Sequence, residues 1–89
     1  MDKEIILSAL ALDLRRVAQG YFRGSTAMAD RFLEEALKRK QEAGSLNLKP
    51  YIKKLLLKVE QLQFEKEEKQ KAEDALMYST LFQNASLNL

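Results

Sequence analysis

Residues 5–21 read IILSALALDLRRVAQGY, and their spacing decides the fold class. Leu7, Leu10, Leu14, Val17 and Tyr21 recur at alternating intervals of three and four, the period of a helix face packed along another helix. Ile5, Ile6, Ala9, Ala11, Leu12 and Ala18 widen that face until only Ser8 and Asp13 interrupt the apolar surface between Ile5 and Leu14. A helix so widely apolar is covered on more than one side. In a short chain this predicts either a central place among the other helices or a second face given to another subunit. Asp2 and Glu4 sit where the positive end of the helix dipole favours carboxylates, so the helix is expected over about 2–21.

Outward from this stretch the vocabulary stays helical. Of 89 residues only three are glycine and one is proline, which leaves few turn signals for strand hairpins. An all-α fold in a single domain, residues 1–89, is the expectation. At this length the core is modest, and a partner chain would enlarge it. Hydrophobic residues at 46% and charged residues at 31% place the chain among folded rather than disordered sequences.

Gly20 and Gly24 bracket the first turn, where glycine takes the left-handed conformation that ends a helix, and Ser25 or Thr26 then caps the next. The second helix is expected over 26–43, with Ala29, Phe32, Leu33, Ala36 and Leu37 inward and Gly44 as its stop. Arg31 with Glu35, Glu34 with Lys38, and Glu35 with Arg39 stand four apart as a surface salt-bridge ladder. Asn47 is the expected cap of the third helix, with Leu46 and Tyr51 as a hydrophobic staple and Pro50 in the first turn. That helix, about 48–65, carries Ile52, Leu55, Leu56, Val59 and Leu62 on its inner face.

The run EKEEKQK at 65–71 consists of good helix formers with nothing to bury. Continued at helical period, the stripe of the third helix lands on Gln63, Lys66, Gln70 and Glu73, while apolar residues return on another face as Ala75, Leu76, Met77, Tyr78, Leu81 and Phe82. The sequence therefore predicts a break near 66–71 and a fourth helix over about 71–84. The expected architecture is a small bundle of two helical hairpins, four helices in all, and dimeric. One continuous C-terminal helix of about 35 residues, about 52 Å long, is the alternative, and would need a partner to cover its far end.

Chemistry is bounded by what is missing. The chain has neither histidine nor cysteine, which removes the usual neutral-pH base, the commonest transition-metal ligand, thiolate nucleophiles and disulfides. No glycine-rich phosphate loop occurs. No catalytic, cofactor-binding or metal-binding residue is expected, and no cofactor. A small enzyme working through carboxylates and Mg²⁺, with Asp30 and Glu34 or Glu73 and Asp74, is a subordinate reading, because these carboxylates lie at salt-bridge spacing among lysines and arginines. Acidic Asp2 and Glu4 argue against a signal peptide, and no apolar run reaches the ~20 residues of a membrane span, so no membrane association is expected and a cytoplasmic location is.

Net charge is +2, but it is unevenly laid out: four basic and one acidic residue over 46–64, three basic and five acidic over 65–89. Opposite signs favour these segments lying side by side, within one chain or across a dimer. Arg15, Arg16 and Arg23 near Tyr21 and Phe22, with Lys53, support the alternative of a nucleic-acid-binding accessory protein. Glu34 and Glu35 on the second helix argue against a groove-reading element. The function expected is therefore a non-enzymatic protein-protein interaction module that self-associates as a homodimer. Its interface is expected at Leu7, Leu10, Leu14, Leu76, Leu81 and Phe82.

Overall fold

A computed structural model describes residues 2–89. Four α-helices carry the chain: α1 (Lys3–Phe22), α2 (Thr26–Gly44), α3 (Pro50–Gln61) and α4 (Glu68–Leu87), with a single 3-10 turn, Leu62–Phe64, after α3. No strand occurs among the described residues, and the fold is all-α.

Asp2 starts α1: its carboxylate accepts the Glu4 backbone N–H at 3.0 Å, satisfying a donor that has no partner within the helix. The buried residues of α1, from Ile6 to Tyr21, span roughly half its circumference. That width comes from position: α2 packs along one flank and α4 along the other, with α1 between them. The central place anticipated from the apolar width of residues 5–21 is thus filled inside the chain for most of that face, while Ile5 and Leu12 stay exposed.

Gly20 does not end α1, as the sequence suggested. It lies buried within the helix, where a Cβ would come within 2.8 Å of the Ala29 Cβ, so its bareness lets α2 cross close by. Gly24 is the left-handed residue, at φ 76°. Ser25 N–H donates to Gly20 C=O at 2.8 Å and Gly24 N–H to Tyr21 C=O at 3.1 Å, the paired bonds of a Schellman motif. Ser25 precedes α2 without a side-chain cap bond. The Thr26 hydroxyl instead donates to Glu68 at 3.0 Å, tying the start of α2 to that of α4.

The cap of α3 is Lys49, not Asn47, and the expected helix start at 48 moves to Pro50. A residue before proline is pushed out of the helical region, and Lys49 is extended, at φ −61° and ψ 148°. Proline then opens the helix, where its missing N–H costs nothing. Leu48 is buried, Leu46 is partly buried against the core, and Tyr51 is exposed.

The chain breaks between α3 and α4. Glu65 and Glu67 are extended, with ψ 125° and 116°, so one continuous helix is ruled out and the break lies at 65–67, at the early edge of the expected range. α4 begins at Glu68, whose carboxylate suits a helix N-terminus and receives Thr26. The two expected hairpins are not equivalent: α1 and α2 pack along each other, but α4 lies chiefly along α1 and meets α3 less extensively. The molecule measures 35 by 19 by 19 Å, close to the ~30 Å length of its longest helices.

Candidate interaction surface

The inward side of α4 is made of small residues and one ring: Ala72, Ala75, Ser79, Phe82, Ala85 and Ser86 are its buried positions. Small side chains let α4 approach α1 closely, and the buried Ser79 hydroxyl donates across to the Ala11 carbonyl at 2.8 Å. Phe82, fully buried, fills the space that the alanines leave. With the alanines inward, the larger apolar side chains of α4 point out: Leu76 is 40% exposed, Met77 50% and Leu81 39%.

This sorts the six expected interface residues into two groups. Leu7, Leu10, Leu14 and Phe82 are 0% exposed and belong to the chain's own core, so they have no surface to offer a partner. Only Leu76 and Leu81 face outward. Large leucines outweigh alanine and serine in any reading of apolar pattern, yet the fold places alanine inward because the α1–α4 approach leaves little room. The signal for this is visible in hindsight as small residues at 72, 75, 79 and 86, spaced at three, four and seven.

Several of the polar groups pair across helices. Asp13 and Arg39 face each other between α1 and α2 at 3.8 Å, and neither Asp13 Oδ2 nor Arg39 Nε has a hydrogen-bond partner. Burial pushes the Asp13 carboxyl above its ordinary range, with Glu35 adding to the rise and Arg39 and Arg16 opposing it. Arg39 also meets Glu42 at 3.7 Å, and Lys38 meets Glu35 at 3.6 Å, so the expected ladder of four-apart pairs gives way to three-apart and cross-helix pairs. The Tyr21 hydroxyl donates to Asp30, and burial together with that carboxylate raises its pKa. Asp30 is thus engaged, and no cluster of three or more acidic groups placed to hold a metal ion occurs among the described residues.

The cationic candidates do not converge. Arg15 lines a groove between α1 and α4 with Thr80 and Gln83, whereas Arg16 stacks over Phe32 of α2, 5.2 Å from its centroid. Arg23 follows the end of α1, and Lys53 lies on α3. That groove, about 260 Å³ and lined also by Leu12 and Asn84, falls short of the ~300 Å³ at which small-molecule sites begin.

Charges of both signs share the edge where α3 and α4 meet. A narrow groove there is lined by Lys58, Gln61, Leu62 and Glu65 on one side and Asp74 and Tyr78 on the other. None of Lys54, Lys58, Glu73 or Asp74 takes part in an ion pair within 4 Å among the described residues. No described helix is long and apolar enough to cross a membrane. Compared with protein-family models, curated protein sequences and solved structures, the chain matches none.

Proposed function

We propose that this chain is a non-enzymatic helical interaction module that self-associates as a homodimer through the outer surface of α4. The observation that carries the reading is the outward aim of Leu76, Met77 and Leu81 on a helix whose inward positions are alanine, serine and one phenylalanine. Three neighbouring large apolar side chains on one helix, each at least 39% exposed, form the kind of apolar surface that a second chain covers. The absence of histidine and cysteine fits a role in contact rather than catalysis.

Size-exclusion chromatography with light scattering tests this directly. A mass near twice 10.3 kDa at micromolar concentration is expected for the natural chain. The Leu76→Glu, Leu81→Glu double variant is expected to run as a monomer of unchanged helicity. A natural chain that stays monomeric at 100 micromolar removes the proposal.

A further inference from the structure

α3 is apolar on two sides. Ile52, Leu56, Val59 and Leu62 face the core and are buried. On the opposite side Leu57 is 58% exposed, and Phe64, seven residues on in the 3-10 turn, is 73% exposed, the most of any large apolar residue among those described. Lysines flank this outer ridge: Lys49 and Lys53 along one side, Lys54 and Lys58 along the other. All four are exposed, and none takes part in an ion pair within 4 Å among the described residues. They are the four basic residues of the 46–64 segment, so the fold gathers that excess onto one face. Glu60, the one carboxylate on α3, is held by Lys40 of α2 at 3.0 Å. Glu65 and Asp74 share a groove with Lys58 at the C-terminal end of the helix, and Glu67 follows there. The uncompensated charge therefore lies toward the N-terminal end, with Lys49, Lys53 and Lys54 leading up to Leu57.

A ridge that is apolar at its crest and cationic on its flanks suits an anionic lipid surface. The leucine enters the boundary between headgroups and acyl chains, while the lysines, on flexible four-carbon stems, reach sideways to lipid phosphates. Such contact lies on the membrane and needs no spanning helix. A nucleic acid fits the face less well. It would lay phosphates against an exposed leucine, and the two rings available for stacking, Tyr51 and Phe64, stand at opposite ends of α3, ~20 Å apart at 1.5 Å per residue.

We propose that the outer face of α3 docks peripherally on an anionic membrane surface, with Lys49, Lys53 and Lys54 on the lipid headgroups and Leu57 among the upper acyl carbons. The contact is separate from the outer side of α4 and does not depend on self-association. Each lysine at an anionic surface strengthens binding roughly fivefold, and burying the exposed part of one leucine does so roughly tenfold. Multiplied, these give an association constant on the order of 10³ M⁻¹ in lipid, within about tenfold of a single myristoyl chain.

Co-sedimentation of the full chain with sucrose-loaded vesicles tests this. At 50 mM NaCl and 1 mM accessible lipid, about half of the chain is expected to sediment with vesicles of 30% phosphatidylserine in phosphatidylcholine, and under about a tenth with phosphatidylcholine alone. Raising NaCl to 500 mM is expected to release it, since the charges are screened. K53Q/K54Q is expected to lose roughly 25-fold in affinity and Leu57→Ala roughly fivefold. R31Q/K69Q, the same loss of charge on exposed positions of α2 and α4, is expected to change affinity less than about twofold. Circular dichroism checks that the variants fold; if one does not, the two vesicle compositions and two salt concentrations decide with the natural chain alone. No excess of sedimentation on phosphatidylserine vesicles overturns the proposal. So does an equal loss in R31Q/K69Q, which would make binding a matter of net charge, and so does full vesicle affinity in Leu57→Ala. Tighter binding to a polyuridine oligonucleotide than to the vesicles would assign the face to nucleic acid instead.

Discussion

At the scale of single residues, two glycines in helices carry opposite expectations. Alanine is the better helix former by ~1 kcal/mol, so Gly44→Ala, with nothing within 4 Å of the added Cβ, is expected to raise the melting temperature. Gly20→Ala adds the same methyl where Ala29 Cβ, Cα and N stand at 2.8–2.9 Å. α2 would have to move away, and the melting temperature is expected to fall despite the better propensity. Asp13 carries a pH expectation. Because burial raises its pKa above 3.8, the folded chain holds that proton more tightly than the unfolded one. Its contribution to stability is therefore fully present below pH 3.8 and is lost as pH rises through the raised value. Asp13→Asn is expected to melt higher than the natural chain at pH 7, with the difference closing as pH falls below 3.8. Thermal melts across pH check this; a constant difference would count against it. Neither position announced itself in the sequence, where Gly20 read as a helix end and Asp13 as an interruption, because both roles depend on what α2 places opposite them.

At the scale of elements, α4 shows which side of a helix is inside. Phe82→Ala empties a fully buried site and is expected to cost ~3–5 kcal/mol in chemical denaturation. Leu81→Ala, one residue away and exposed, is expected to leave the stability of the monomer nearly unchanged. The break before α4 is tested by proline. Glu65 already has the extended backbone that a following proline requires, so Lys66→Pro is expected to cost under ~1 kcal/mol. Thr80→Pro, inside α4, is expected to cost ~3 kcal/mol or more. A large loss for Lys66→Pro would favour a continuous helix. The number of helices was legible from the Ile52–Leu62 stripe, which fails to continue through 65–71. The register of α4 was not, since an Ala/Ser face is hidden beneath leucines in any apolar count.

At the scale of the whole molecule, α1 takes its two covering layers from α2 and α4, and the outer side of α4 is left as uncovered apolar surface, as are Ile5, Leu12, Phe22, Leu57 and Phe64 on other elements. If that surface pairs, the melting temperature is expected to rise with protein concentration, because a dimer is stabilised by mass action. A melt at tenfold higher concentration that is superimposable on the first would speak for a lone monomer. The helical class, the turn at Gly24 and the stripes of α1 and α3 were determined by the sequence itself, because helical period and left-handed glycine are local properties of a chain. Which apolar residues lie inside was decided only by the tertiary structure. Leu7, Leu10 and Leu14 became core, and Leu76 and Leu81 stayed outside, because close packing of α1 against α4 admits alanine and serine at the contact and excludes the larger leucines.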